Sequence, residues 1–202
     1  GVDTALFKPM DQAECRTKLG LPLDKKIVLY VGNFAQVKGV DVLVDAFARL
    51  RVRALAPSLS FRPSPATAGR VEESNLVRSL DSLPDKQHVG QALARDDKQR
   101  VILLLVGDGP MEAMLRARVK ELGIEDAVIF AGRATHDAIR YYMNAADVFC
   151  LPSRDEGCPN VVLEALACNV SIVATRVGSV PDLIIDFPRG YLTEPHDPNL
   201  LA

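Results

Sequence analysis

The segment SRDEGCPNVVLEALAC, residues 153–168, gathers the side chains with the most capacity for chemistry. A polar loop carries Asp155, Glu156 and Gly157, and Pro159 opens an apolar helix that holds a single carboxylate, Glu164. The free N–H groups of a helix's first turn, with the positive end of its dipole, favour an anion. Gly157 permits close approach of a ligand to the backbone. A charge inside VVLEALA needs hydrogen-bond donors or a counter-ion. Ligand hydroxyls would serve, but so would an arginine from elsewhere, or a place at the helix edge facing water. Glu156, taken singly, reads as a solvated loop acid. The second group is VGNFAQVKG, residues 31–39, a strand-to-helix turn with Gly32, Gly39 and Lys38 just before the helix. There a lysine would help hold phosphate, although a lysine beside a glycine is most often a surface charge on a turn. It is not a Walker loop, because GxxxxGK[ST] is absent.

Other candidates carry less. VGDGPMEA (106–113) places Gly-x-Gly after a strand, yet Glu112 stands where the dinucleotide fingerprint needs its third glycine. No acidic residue ends the following strand, which closes Phe130-Ala131-Gly132, so a nicotinamide oxidoreductase is not supported. His88, His136 and His196 have no partner at ligand spacing and read as surface residues. Cys15, Cys150, Cys158 and Cys168 include no CxxC pair and read as reduced thiols, not a disulfide frame or zinc site. Cys150 and Cys168 are expected in the core. Cys158 lies in the site loop with no general base near it in sequence, which argues against a nucleophile.

The elements that must position these groups alternate in type. Short runs rich in valine and isoleucine alternate with helix-period segments, the pattern of a parallel α/β sheet. Asp11 with Glu14 forms a capping box for a first helix that Gly20 closes. Strands are expected at 27–32, 101–107, 127–132, 147–152, 171–175 and 190–193. Helices are expected at 39–50, 111–122, 135–145, 159–168 and 180–186. VILLLVG has no polar break, as a central strand buried on both faces should not. Asp197-Pro198 reads as the cap and first position of another helix, so the chain is expected to be cut at its end. Residues 51–98 interrupt a connection that is ordinarily short. Pro57, Pro63 and Pro65 mark their first half as disordered, and the whole stretch reads as an insertion without catalytic role.

Composition excludes several classes. The 202 residues are 48% hydrophobic and 25% charged, enough to bury one large core. With 24 basic and 26 acidic residues, the chain lacks the basic face that phosphate-driven nucleic-acid binding requires. No apolar run reaches the roughly 18 residues of a membrane span. The opening GVDTALFKP carries no leader signal. Together these point to a cytoplasmic protein.

The segments LGLP, YVGNFAQVKGVDVLVDAF, LLLVGDGP, FAGR and EGCPNVVLEALACNVSIVATRVGSVPDLI, in this order, resemble one family. They look like the C-terminal, donor-binding half of a retaining glycosyltransferase with the two-Rossmann GT-B fold, of the group 1 type (glycosyltransferase family 4). The resemblance spans nearly the whole chain except 51–98, and GVDTALFKP looks like its interdomain linker. Its most specific element is the E-x7-E pair, Glu156 and Glu164, followed by a small-residue strand and VG-x-x-P-D.

The resemblance implies a Rossmann-like parallel sheet of about six strands with helices on both faces, binding a nucleoside-diphosphate sugar. It places Glu156 by the donor sugar ring and Glu164 on the nucleotide ribose. The segment Gly157, Cys158, Pro159, Asn160 and Val161 would hold sugar hydroxyls and diphosphate through its free amides. Lys38, beside Gly32, matches the family lysine that neutralises the leaving group. Asn33 departs from the pattern, which has arginine there, and Arg133 is the candidate to supply the missing charge. Asn169 replaces the usual glycine after the helix, a mild change because asparagine tolerates the left-handed conformation. The implied activity is hexosyl transfer with retained configuration, from a donor more often UDP-linked than GDP- or ADP-linked. No cofactor or metal is implied, because no DxD-type acidic pair stands beside the phosphate turn. The acceptor would lie in an N-terminal domain outside this chain, through which any membrane association would also act. The fragment alone would bind donor without turnover. Two alternatives stand beside this reading: an epimerase or phosphorylase of the same fold, and a nucleotide-sugar-binding domain that has lost catalysis.

Overall fold

A computed structural model of the chain describes residues 1–53, 101–184, 188 and 190–195. Helix α1 (Gln12–Leu19) precedes strand β1 (Lys26–Val31), a 3-10 turn at Gln36–Lys38 and helix α2 (Val40–Arg53). Then come β2 (Val101–Val106), α3 (Glu112–Glu121), β3 (Val128–Gly132) and α4 (His136–Ala145). The remainder is β4 (Val148–Leu151), α5 (Asn160–Ala167), β5 (Ser171–Thr175), α6 (Val180–Ile184) and β6 (Gly190–Thr193). Among the described residues each expected strand and helix is present, with ends within one or two residues except that of α2, which runs three residues further. At α1 the Asp11 carboxylate accepts from the Glu14 amide at 2.8 Å, and Gly20 ends the helix at φ 67°. Asn169 takes the left-handed turn after α5 at φ 56°.

The six strands form one parallel sheet in the order β3-β2-β1-β4-β5-β6. The chain winds one way from β1 to β3 and the other way from β4 to β6. The switch point therefore lies between β1 and β4, where the loops leaving the two strands diverge and open a crevice. Alternation along each strand builds two cores. Tyr30, Leu103 and Leu105 face the cluster under α2 and α3, with Leu43, Phe47, Leu115 and Val119. Ile27, Leu29, Ile102 and Leu104 face the other, with Ile139, Met143, Val162 and Ala165 of α4 and α5. Because both faces are covered, β2, β4 and β5 are buried at every position.

Helix α2 runs on to Arg53, so residues 51–53 belong to it and not to an insertion starting at 51. The Arg51 guanidinium grips Asp126 with bonds of 2.8 and 2.9 Å, tying α2 to the turn before β3. The rest of 51–98, with His88, lies outside the described residues, as do His196 and Asp197-Pro198.

The floor of the domain is tied by a buried cation. Arg16 of α1 donates to the carbonyls of Ala145 (2.9 Å), Leu23 (3.2 Å) and Lys25 (2.9 Å), and to Asp147 at 2.7 Å. Asp147 also accepts from the Ile27 amide at 2.8 Å. Removing one member of such a pair leaves the other charge uncompensated, at about 3–5 kcal/mol. Asp147→Ala is therefore expected to lower the unfolding free energy by that order, read as a lower urea midpoint at unchanged slope. Lys26→Ala should cost under about 1 kcal/mol, because Lys26 reaches Asp147 from a side chain 57% exposed. Equal, small losses would show that water screens the whole cluster.

Candidate functional site

The loops that leave β1 and β4 bring Lys38 and Glu156 together at the switch point. Lys38 Nζ lies 2.8 and 3.0 Å from the two Glu156 oxygens, and Ser153 Oγ donates to Glu156 Oε1 at 2.6 Å. The Glu156 side chain is only 7% exposed, against 31% for Lys38. The expectation of a solvated loop acid is thus corrected: nothing in SRDEG signals burial, which follows from the β1 loop folding over it. Below the pair, the phenol of Tyr30 donates to the Asn33 carbonyl at 2.9 Å. Burial, and then the negative charge of Glu156, push that phenol far above its usual range.

Two features press the loops together. Gly39 has φ 64°, and a Cβ there would sit 2.1 Å from the Pro152 carbonyl oxygen, so the backbones touch where only glycine fits. Arg154 then straps the loops. Its amide donates to the Val37 carbonyl at 2.7 Å, and its guanidinium donates to the Gln36 carbonyl and forks onto Asp41 at 2.9 and 2.7 Å. For Asp41, burial alone would raise the carboxyl, but the hydrogen bonds and charge of Arg154 outweigh it and hold it below the ordinary carboxylate range. The strap therefore contributes stability above that range and loses it as pH falls through it. Gly107 and Gly109, which failed as a dinucleotide fingerprint, serve packing: their loop lies directly on Gly32, Asn33 and Phe34. Gly178 likewise fits under the Glu156 carbonyl, and the Ser179 hydroxyl donates to the Gly157 carbonyl at 2.8 Å.

On the other side of the crevice stands α5. Its N-cap is Pro159, which gives no side-chain cap, so the first-turn amides of Asn160 and Val161 keep their orphan donors. Gly157 and Cys158 are exposed on the approach to this helix end. Glu164 is buried one turn further on, and its partner among the described residues is not an arginine: His136 Nε2 lies 3.0 Å from Glu164 Oε1. His136, expected as an ordinary surface residue, has a side chain 65% exposed yet engages this carboxylate. The ring also meets Phe7 edge-on at 5.1 Å.

The structure leaves two expected residues apart from this cluster. Asn33 is exposed beside Gly109, and Arg133 is exposed with no ion pair among the described residues. Sequence reasoning missed Ser153, Arg154, Asp41 and His136. The first two stand inside SRDEG and were legible as polar loop residues, but their partners were not. Cys150 and Cys168 are buried as expected, and burial pushes the Cys168 thiol up to about 11. Among the described residues no group of three or more His, Cys, Asp or Glu is placed to hold a metal, and no helix is long and apolar enough to cross a membrane.

The result is a doubly wound parallel sheet with a lysine–glutamate pair at its switch point and an uncapped helix end beside it. Residues 70–202 match the family model of glycosyl transferases group 1, and the chain belongs to that family. The match begins inside the stretch read as an insertion. The chain is 33% identical over 204 residues to D-inositol 3-phosphate glycosyltransferase of Acidothermus cellulolyticus, covering 98% of this chain. It spans 36% of that relative's length. Among solved structures it is similar to sucrose-phosphate synthase from Thermosynechococcus elongatus, with TM-score 0.68 and 29% identity over all of this chain and 40% of that one. Anabaena HepE in complex with UDP-glucose superposes with TM-score 0.68 over all of this chain and 44% of that one. At 23% identity that likeness concerns the fold. The fold is thus one Rossmann-like half of a GT-B glycosyltransferase.

Proposed function

We propose that the chain binds a nucleoside-diphosphate sugar in the crevice between the β1 and β4 loops and serves as the donor half of a retaining hexosyltransferase. The observation that carries the reading is the meeting of Lys38, Glu156 and the uncapped end of α5 at the switch point. Transfer breaks the bond between the anomeric carbon and the diphosphate, forms a bond to an acceptor oxygen, and releases the hydroxyl proton. Negative charge builds on the departing diphosphate and positive charge on the sugar. Lys38 and the amides from Gly157 to Val161 answer the first; the Glu156 carboxylate answers the second. Glu164 accepts from the ribose hydroxyls. Lys38 alone supplies side-chain charge to the diphosphate unless Arg133 swings in, since Asn33 offers only a neutral amide.

A uridine nucleotide is the favoured donor, in keeping with the UDP and UDP-glucose held by HepE. The acceptor is assigned to a further domain, consistent with the chain spanning about a third of its relatives' length; the chain alone should bind donor without transferring sugar, and any cytoplasmic or membrane-peripheral placement belongs to the whole protein. The test is thermal stabilisation by UDP, GDP and ADP. A site-specific ligand at a hundredfold excess over its Kd adds about 2.7 kcal/mol, so one nucleotide should raise Tm with concentration well above the others. No shift with any of the three would overturn the reading.

A further inference from the structure

Among the described residues His136 is the one side chain that hydrogen-bonds Glu164, and it comes from another helix. It stands in the first position of α4, whose N-terminus opens on the same edge of the sheet as that of α5. The contact is 3.0 Å between Nε2 and Oε1. With Glu164 ionised its oxygens only accept, so the ring N–H of His136 is the donor. The ring packs in a T-shaped arrangement against Phe7, which is buried. Among the described residues Glu164 Oε2 makes no hydrogen bond, and the Glu164 side chain keeps 11% of its surface exposed. A carboxylate on a helix that is otherwise apolar would swing among rotamers if nothing held it. Here one oxygen is anchored.

We infer that His136 is a positioning residue for the nucleoside: its hydrogen bond fixes the Glu164 carboxylate so that Oε2 meets a ribose hydroxyl. The inference rests on the assignment of Glu164 to the ribose. It deepens that assignment by naming what orients the carboxylate. The ribose preference of the site then depends on His136, although His136 need not touch the sugar. A neutral side chain that still donates, such as glutamine, should replace it in part, whereas alanine should not. Discrimination between a ribonucleotide and its 2′-deoxy counterpart reads this orientation directly. A residue that merely stabilised the fold would lower Tm and weaken both nucleotides equally.

The experiment is calorimetric titration of this chain with UDP, GDP or ADP, whichever binds tightest, and with its 2′-deoxy form. The proteins are wild type, His136→Ala, His136→Gln and Glu164→Gln. Wild type is expected to prefer the ribonucleotide by about tenfold or more, as one hydrogen bond to a charged group allows. His136→Ala should bring that ratio to within about twofold of one, His136→Gln should restore most of it, and Glu164→Gln should abolish it. A ratio preserved in His136→Ala would overturn the role of His136 while leaving Glu164 in place. A wild type that does not discriminate, or binds none of the nucleotides, would overturn the ribose assignment itself and this inference with it.

Discussion

Replacing Glu156 with glutamine is expected to abolish sugar transfer by the full-length protein while leaving, or even improving, the binding of nucleoside diphosphate to this chain. The opposite signs follow from geometry. Glu156 holds Lys38 between its two oxygens, at 2.8 and 3.0 Å, so its charge competes with diphosphate for the same ammonium. The isosteric amide keeps an acceptor for Ser153 and Lys38 but removes the competing charge. It also removes the carboxylate that would steady positive charge on the sugar. Lys38→Ala is expected to act in the other direction on binding. Diphosphate affinity should fall toward that of the bare nucleoside, with a weaker salt dependence, and transfer should drop a hundredfold or more, the ordinary worth of one electrostatic stabiliser in a dry site. Initial rates at saturating donor, with calorimetry on the same variants, measure both. Full-rate transfer by Glu156→Gln would refute the role of the carboxylate, and an unaltered gap between diphosphate and nucleoside in Lys38→Ala would mean the α5 terminus holds the phosphates alone.

Glu164→Ala is expected to weaken nucleoside-diphosphate binding by about 1.5–3 kcal/mol, the loss of hydrogen bonds to a charged acceptor, with the fold intact. Stability should hold because the substitution removes a buried carboxylate whose partner His136, 65% exposed, remains free to hydrate. The result to look for is a Kd raised ten- to a hundredfold and a Tm within a few degrees of wild type. Unchanged affinity would return Glu164 to a structural role with His136.

Much of the architecture was legible in the chain. The uninterrupted VILLLV marked a strand covered on both faces, and the capping box at Asp11 marked the first helix, because both signals are local and periodic. The end of α2 was less legible: the fork of Arg51 onto Asp126, which ties that end down, reaches 75 residues along the chain. Pro159 was read as opening α5 and stands at its N-cap, a shift of one position that local signals do not settle.

The order of apolar runs and turns by itself determined the parallel sheet and both of its cores. A period of two or of 3.6 residues dictates which face each side chain presents. The sequence also named Lys38, Glu156 and Glu164, since charges at strand-to-helix turns and inside an apolar helix stand out against their surroundings. Only the tertiary structure decided what those charges meet. Lys38 and Glu156 are 118 residues apart, Asp41 and Arg154 are 113, and His136 and Glu164 are 28. The first two pairs form because the strand order reverses between β1 and β4 and gathers distant segments at one edge, and the third because α4 and α5 pack side by side on one face of the sheet. No local propensity encodes such a meeting, and so the burial of Glu156 and the histidine beside Glu164 emerged only from the fold.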